Sequence, residues 1–422
     1  MEAYANVLLY AIPFFLILVL IEALYGWAKG HQTLRSMDTI SSLSSGSTNT
    51  LKNIMSLTVI IISYEWLEGH IGLMQLEATW PVYVIAFIAI DFRGYCGHLL
   101  NHKVNYFWNE HVVHHSSEEY NLPCALRQSV SNIFGFYAVF LIPAALLGVP
   151  PQVIAVISPI HLFMQFWYHT RHIPKLGFLE KIIVTPSIHR VHHAINPEYL
   201  DKNLGQIFII WDKIFGTYQE ELDEVPPVYG VKKPAETWNP ILINYQHVWR
   251  IILDAWRAQS WLDKLRVWFM PTGWRPADVA KKHPIEIIED PYSMKKFDTK
   301  ASPALHAWSW TQYGVSTIFM LIMLINFASL GMGNIMLLGT FLFVTIYSYT
   351  TLMDRRPHAF WLESIKSLGG LYIIYSTGDW FGVDILVPFG SYLVGGYFVV
   401  SILIVAYFVF AEFREDKEMA VA

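Results

Sequence analysis

Three groups of histidines are spaced so that their imidazoles could bind metal. Side chains three or four residues apart lie on one face of a helix, so each group can present two or three imidazoles to one point. With 17 histidines in 422 residues, about 0.03 copies of His-x2-His-His are expected by chance, yet the pattern occurs twice. The spacing therefore predicts a metal site. The groups are His98-x3-His102, His111-x2-His114-His115 and His189-x2-His192-His193.

The number of imidazoles predicts two metal ions, because one ion takes about four to six ligands and the groups alone supply eight. His169 emerges at a predicted membrane edge between the second and third groups, and we expect it to be a ninth ligand; His172, one turn later, is a weaker candidate. The alternative for the clustered histidines is a proton relay or pH sensor. Histidines without a cluster are interpreted as structural or solvated: His31, His70, His161, His247, His283, His306 and His358.

The ligand type limits the chemistry of this site. Imidazole without thiolate suits iron, zinc or copper and excludes iron–sulfur clusters and zinc fingers. The two cysteines, Cys96 and Cys124, support neither a disulfide framework nor a thiolate site. Two metals could serve hydrolysis or oxygen chemistry. Because acyl chains at a membrane surface mostly lack hydrolysable groups, we expect activation of O2 and attack on a C–H bond.

The elements that must position the histidines are predicted to be membrane helices. Of the 422 residues, 54% are hydrophobic and 15% are charged, fewer charges than an ordinary soluble domain carries. We therefore expect an all-α, polytopic membrane protein with about nine transmembrane or re-entrant helices. The fourth and fifth are interrupted by prolines and could form a hairpin that dips into the membrane and returns. The apolar stretches lie at about 6–27, 51–67, 80–97, 132–149, 152–168, 308–330, 334–351, 366–388 and 391–411.

The placement of basic residues predicts which face carries the histidines. The connections at 68–80, 149–152, 331–334 and 379–391 contain no Lys or Arg, so all 29 basic residues lie on or beside the opposite face. Since Lys and Arg stay in cytoplasmic loops, we predict histidine clusters on the cytoplasmic face of a bacterial inner membrane or the endoplasmic reticulum. The first apolar run is expected to be a retained anchor.

Three regions follow from this threading. We predict amino-terminal membrane spans in 1–75, a di-metal domain with a cytosolic helical cap in 76–305, and carboxyl-terminal membrane spans in 306–422.

The order of the three histidine groups on one side of a polytopic chain resembles the fatty acid hydroxylase and sterol desaturase superfamily of di-iron membrane enzymes. Within that superfamily, the flanking residues resemble the alkylglycerol monooxygenase (glyceryl-ether monooxygenase) family. The likeness covers nearly the whole chain and is weakest in the carboxyl-terminal spans. The segments that carry it are 41–46, 114–122, 125–129, 165–170, 185–193, 201–203 and 210–217, with weaker likeness at 271–274 and 354–357.

This resemblance implies a monooxygenase that uses two iron ions and O2 to hydroxylate the carbon next to the ether oxygen of an alkylglycerol, giving a fatty aldehyde and a glycerol derivative. It also implies tetrahydrobiopterin as reductant, but Lys103 stands where the family has an acid, which predicts poorer use of the pterin. An external electron donor is expected, because no Rossmann fingerprint or cytochrome-b5-like motif is present. Supporting roles near the ligands are open to Glu118, Glu119, Asn121 and Asp212.

Two alternatives remain at this point. The same site could hydroxylate or desaturate fatty acyl chains, sterols or carotenoids. A metal or lipid transporter would need ionisable groups in mid-membrane, whereas Asp91, Arg93, Asp379 and Asp384 lie near predicted span ends. The membrane and a lipid are the expected partners, and nucleic acid is not.

Overall fold

The computed structural model describes residues 2–414, and almost all regular structure in that range is helical, which confirms the helical fold class. Two short strands, β1 (Val59–Ile60) and β2 (Phe134–Gly135), pair in parallel. The helices are α1 (Glu2–Ala28), α2 (Ser36–Ile54), α3 (Tyr64–Ile71), α4 (Trp80–Lys103), α5 (Asn105–His115), α6 (Leu122–Ala125), α7 (Ile142–Leu146), α8 (Pro151–Phe163), α9 (Pro186–His192), α10 (Ile210–Phe215), α11 (Pro240–Arg257), α12 (Trp261–Arg266), α13 (Ala277–Lys282), α14 (Pro303–Ile325), α15 (Phe327–Met353), α16 (Ala359–Thr377), α17 (Val383–Leu386) and α18 (Gly390–Tyr407).

Five of these helices, α1, α4, α14, α15 and α18, are long and apolar enough to cross a bilayer. They indicate an integral membrane protein. The predicted span at 366–388 overlaps α16 over 366–377, and this helix carries a buried ion pair between Lys366 Nζ and Glu363 Oε1 at 2.6 Å. Because both charges are satisfied inside the bundle of α14, α15, α16 and α18, this helix packs against its neighbours without being uniformly apolar.

The predicted span at 51–67 is not one continuous helix. Helix α2 ends at Ile54, and Ser56 has a φ of +54°, a left-handed conformation that stops the helix. The β-branched residues that follow favour extended backbone, and they form β1. Ser63 then caps α3 by accepting a hydrogen bond from the Trp66 N–H.

The proline-rich region 132–168 also forms short elements instead of long helices. The apolar helical segments Tyr137–Leu146 and Pro151–Phe163 are joined by a turn in which Gly148 has a φ of +69°. A side chain at this glycine would collide with the backbone, since a Cβ there would lie 1.8 Å from the Met74 carbonyl oxygen. The turn therefore separates two short helices that both pack against α3 and α4.

Helix α2 joins the carboxyl-terminal bundle to the part of the chain that holds the histidines. The Ser44 hydroxyl lies 2.6 Å from the Tyr349 hydroxyl of α15. One residue on, the Ser45 hydroxyl donates to the Gln128 carbonyl at 3.1 Å. Small side chains in the serine-rich run 41–45 permit this close approach on both sides, and all of that run is buried.

Candidate metal centre

The structure brings all nine predicted histidines together in two adjoining groups. Within each group, one nitrogen from every ring lies within 4.8 Å of the corresponding nitrogens of the others. The groups touch, since the His115 and His193 rings are stacked with centroids 4.4 Å apart. These spatial sets differ from the three sequence motifs. From here on, the five-histidine set is the first group and the four-histidine set is the second group. The first group is His98, His102, His111, His115 and His192; the second is His114, His169, His189 and His193.

Each His-x2-His-His motif divides its rings between the two groups. In α5, His111 and His115 belong to the first group and His114 to the second. The other motif, which lies in α9 and its C-cap, is divided the opposite way. His189 and His193 belong to the second group, and only His192 belongs to the first. Positions four apart on a helix point almost the same way, whereas the neighbouring position points about 100° away. Each motif therefore contributes rings to both groups. The sequence instead predicts that each motif directs its rings to a single metal position.

The nitrogen spacings fit metal coordination. Two nitrogens bound to one ion at about 2.1 Å lie about 3 Å apart in neighbouring positions. The Nε2 atoms of His98 and His111 are 2.8 Å apart, and those of His189 and His193 are 3.1 Å apart. Buried Nε2 atoms of His102 and His192 have no hydrogen-bond partner among residues 2–414. Buried polar atoms are rarely left unpaired, so an ion would account for them.

The hydrogen bonds of His114 and His169 give the strongest sign of a cation. The Nδ1 atoms lie 3.2 Å from the Arg127 carbonyl and 3.0 Å from the Gln165 carbonyl, respectively. A carbonyl can only accept, so both Nδ1 atoms carry hydrogen and both Nε2 atoms present lone pairs. Burial lowers the pKa of His114 to about 3 and lowers that of His169 well below its usual value, so both rings are neutral. Their Nε2 atoms nevertheless face each other at 3.4 Å, an arrangement that a bound metal stabilises.

Burial keeps the remaining rings outside the spans uncharged as well. It lowers the pKa of each ring well below its usual value, and the positive charge that neighbouring histidines would carry lowers it further. Neutral imidazole is the form that binds metal. The site can therefore accept cations near neutral pH without first losing protons from these rings, which are His111, His115, His189, His192 and His193.

A backbone and carboxylate shell orients the first group. His98 Nδ1 donates to the Leu204 carbonyl at 2.7 Å, and Asp212 accepts from the Leu204 N–H at 2.6 Å. His192 Nδ1 donates to the Lys202 carbonyl at 2.9 Å. Such outer partners fix the ring orientation and the tautomer of metal ligands. Asp212 thus acts on the site by positioning the carbonyl that His98 uses.

Lys103, which stands where the family has an acid, lies in the same shell of residues around the first group. Its ammonium group donates to Asp201 Oδ2 at 2.7 Å, and Asp201 Oδ1 lies 3.2 Å from His102 Nδ1. Burial alone would raise the pKa of the Asp201 carboxyl, but hydrogen bonds from His102 and Lys103 lower it to about 2. Lys103 therefore holds the carboxylate that orients a candidate ligand.

A buried ion pair that sequence reasoning missed supports the second group. The Arg127 guanidinium donates to Asp38 Oδ2 at 2.8 Å and also to the hydroxyls of Ser42 and Ser116. Both charged side chains are 3% exposed. The carbonyl of the same arginine accepts from His114. The sequence held one signal for this contact, which is the family likeness at 41–46 and 125–129. These two segments meet at the ion pair.

Asp91 corrects the expectation that it lies near a span end. It is in the middle of α4, fully buried, because this helix continues to Lys103. The carboxylate accepts from His161 Nε2 at 2.8 Å, from Trp211 Nε1 at 2.8 Å and from two backbone N–H groups, those of Ile207 and Phe208. These four donors satisfy it, so it ties the loop before α10 to a span and does not line a path. His161 is accordingly structural and buried, not solvated.

The other suggested supporting residues do not reach the histidine rings. Glu119 pairs with Arg171 at 3.0 Å and with Lys296 at 2.5 Å. Glu118 accepts from the Phe297 N–H at 2.6 Å. Both carboxylates thus attach the segment after α13 to the histidine region. Asn121 instead caps α6, accepting from the Cys124 N–H, and donates to the Thr33 carbonyl.

The weaker candidate His172 lies outside both groups. Its ring packs near Tyr25 and His31, and its Nε2 is 3.4 Å from the Thr33 hydroxyl. Another single histidine, His247, contacts the Asn105 carbonyl at 2.8 Å. Within residues 2–414, the two groups contain only the nine predicted rings.

Comparison with known proteins gives a family match over the histidine region and relatives over most of the chain. Residues 83–217 match the family model for fatty acid hydroxylase. A human alkylglycerol monooxygenase is 36% identical over 361 residues, which cover 85% of this chain and 80% of the human protein. The Xenopus tropicalis alkylglycerol monooxygenase is 33% identical, covering 89% of this chain and 83% of its own. A Rhizobium tropici ornithine lipid hydroxylase is 29% identical over 33% of this chain and 43% of its own length. No solved structure matches the chain.

Proposed function

The chain belongs to the alkylglycerol monooxygenase family, a family of lipid monooxygenases, and we propose on that premise that it hydroxylates the carbon next to the ether oxygen of a glyceryl ether. The observation that carries this proposal is the pair of adjoining imidazole groups in the region shared with the family. The nine histidines are the proposed ligands of two iron ions, five rings around one and four around the other. Bound iron supplies the activation of O2.

The proposed reaction balances with an external reductant. One oxygen atom enters the C–H bond beside the ether oxygen, and the other leaves as water after taking two electrons and two protons. The resulting hemiacetal then loses its C–O bond to the glycerol unit, giving a fatty aldehyde and a free glycerol hydroxyl. Because the chain contains no recognisable reductase motif, the electrons come from a separate donor.

In this proposal, residues of the chain bind the metal ions and orient the ligand rings. Neutral rings, seven of the nine buried, present their Nε2 atoms inward. Carbonyls at Leu204, Lys202, Arg127 and Gln165 accept from the Nδ1 atoms of four of them. Aromatic side chains close the site against water, since Tyr120 and Tyr168 are fully buried beside the second group. A dry, preorganised site prevents loss of oxidising equivalents to solvent.

The reaction is tested by incubating purified protein under O2 with an alkylglycerol and either tetrahydrobiopterin or a ferredoxin-type donor. We expect fatty aldehyde in a 1:1 ratio with glycerol product, and about two iron ions per chain in the active form. Hydroxylated or desaturated lipid with the ether bond intact would instead favour the alternative substrate reading. Absence of any oxidised lipid from an iron-loaded sample would contradict the proposal.

The ornithine lipid hydroxylase from Rhizobium is the observation that keeps another lipid hydroxylation as second candidate. Its likeness spans only 143 residues, whereas the likeness to the human alkylglycerol monooxygenase spans 361. A lipid hydroxylation of either kind would use the same oxygen chemistry at the candidate metal centre. The longer likeness to the alkylglycerol monooxygenase favours the ether lipid as substrate. A transporter is disfavoured because the mid-span Asp91 is satisfied by fixed protein donors.

Lys103 gives a specific prediction about the reductant and the metal. Lys103→Glu places a second carboxylate beside Asp201, so His102 should lose its orienting partner and metal affinity should fall about 10- to 100-fold. Lys103→Gln, which retains a donor to Asp201, is the matched control and should keep both ions. Metal analysis after dialysis measures the difference.

Lys103→Gln also tests pterin use. If Lys103 disfavours tetrahydrobiopterin through its charge, Lys103→Gln should increase the turnover supported by that reductant while metal content stays constant. Equal pterin-supported turnover in Lys103→Gln and the unmodified protein would show that position 103 does not select the reductant.

We also propose the topology and regions expected from the sequence: about nine transmembrane or re-entrant elements, with 76–305 as the di-metal domain and its cap on the cytoplasmic side. The arrangement of basic residues supports it. Single cysteines at the exposed positions Gln75, Asp223 and Lys281 should react with an impermeant reagent from opposite sides, 75 from outside and the other two from inside. Labelling of 75 and 281 from one side would overturn this topology.

A further inference from the structure

Helix α11 exposes an entirely apolar face. Within 240–256, all of which the structure describes, every exposed side chain is apolar. The exposed positions recur at alternating intervals of three and four, which places them in one stripe along the helix. A helix at a protein–water surface carries polar residues on its outer side, so this pattern is reversed. The stripe consists of Leu242, Tyr245, Trp249, Ile252 and Trp256, with exposures from 39% to 82%.

The stripe continues into α12 and the turn after it. Four large apolar side chains there are between 64% and 80% exposed: Trp261, Leu262, Leu265 and Phe269. Monomeric soluble proteins rarely expose apolar patches of this extent. We call the exposed apolar side chains of α11, α12 and Phe269 the platform.

The inward side of α11 includes polar groups that are hydrogen-bonded to the rest of the protein. Asn244 Oδ1 accepts from the Val130 N–H at 2.8 Å, and the Val248 N–H donates to Asn109 Oδ1 at 2.9 Å. Asp254 forms a two-point ion pair with Arg275, with N–O distances of 2.6 and 2.8 Å. These bonds fix the rotation of the helix, so the apolar stripe cannot turn inward without breaking them.

Helix α11 lies where two membrane spans end. At its start, Asn239 donates to the Tyr347 carbonyl and the Thr351 hydroxyl in the last turns of α15. Two turns later, His247 contacts the Asn105 carbonyl, just past the end of α4. A segment that bridges the ends of two spans lies in the plane of the membrane surface. The platform therefore lies at the level where those two spans end.

Cations border the platform as they do in interfacial helices. The Lys264 ammonium lies 5.5 Å from the Trp261 ring centroid, and the Arg266 guanidinium lies 4.8 Å from that of Trp274. Arg257 is exposed at the end of α11. Tryptophan prefers the headgroup level of a bilayer, and basic residues attract anionic lipid phosphates.

We propose that the platform binds the bilayer surface, with α11 and α12 lying in the headgroup region of the leaflet into which α4 and α15 end. Part of the predicted cytosolic cap then rests on lipid. Since α11 packs along α5, which carries His111, His114 and His115, the platform also couples the candidate metal centre mechanically to the membrane surface. The proposal does not depend on the reaction catalysed.

The test measures how deeply the platform lies in the bilayer. It uses full-length protein reconstituted into vesicles of equal parts phosphatidylcholine and phosphatidylglycerol. Spin labels attached through an unnatural keto amino acid at Trp249, Ile252 and Trp256 are compared with labels at Asp223 and Lys281. We expect O2 to relax the first three labels more than the nickel ethylenediaminediacetate complex does, at a depth of about 5–10 Å below the phosphates. The two control labels should show the opposite preference.

A variant separates lipid insertion from coverage by protein. With Trp249→Glu and Trp256→Glu together, the label at Ile252 should move toward water, whereas Gln259→Glu should leave it in place. Free access of the nickel complex to all three platform labels would overturn the proposal. Strong dipolar broadening between labels on different chains would also overturn it, because a second copy would then cover the face.

Discussion

Replacing His111 or His189 by alanine should reduce aldehyde formation to background, a loss of more than about 100-fold, the upper range for changes in residues that only orient ligands. Each substitution removes one nitrogen and leaves an open position in a different group. Because the groups are separate sets of rings, each variant should lose about one ion per chain and retain the other. Metal analysis and turnover under O2 measure the two effects.

His283→Ala is the matched control, since His283 is exposed and lies outside both groups. It should retain full metal content and activity. Two ions per chain in both ligand variants would contradict the assignment of five rings to one ion and four to the other. Loss of both ions from either variant would show that the ions bind cooperatively across the stacked His115 and His193 rings.

Arg127→Met should destabilise the protein by about 3–5 kcal/mol, because it leaves the Asp38 carboxylate buried without its cation. The guanidinium donates to Asp38 Oδ2 at 2.8 Å and is its only charged partner within residues 2–414, whereas the Ser117 and Ser42 hydroxyls donate to Oδ1 at 2.8 and 3.5 Å. The Arg127 carbonyl should also shift, weakening the orientation of His114. The midpoint of thermal unfolding in detergent and the retention of metal report these changes.

Asp38→Leu combined with Arg127→Met provides the control for that prediction. Removing both charges avoids an unpaired buried ion, so much of the stability should return. A single variant as stable as the unmodified protein would mean that water reaches the pair and that the two segments do not pack as described. A stable double variant that still binds one ion fewer would isolate the contribution of the arginine backbone to the second group.

The sequence by itself determined which side chains gather, since spacings of three and four residues set angles around a helix and those angles depend only on local backbone geometry. All nine histidines named from spacing and membrane threading lie in the two groups. The helical fold class and the longest apolar spans also follow from local composition, because a helix satisfies its own backbone hydrogen bonds in lipid.

Only the tertiary structure decided how the rings are shared and what holds them. Spacing fixes that His114 points away from His111 and His115, but the element facing each direction depends on packing between distant segments. The partners of the rings are similarly remote, as with Asp201, 99 residues from His102, and with Asp38, 89 residues from Arg127. Local hydropathy likewise gives no sign that 51–67 breaks at Ser56, because an interrupted segment can be as apolar as a continuous span.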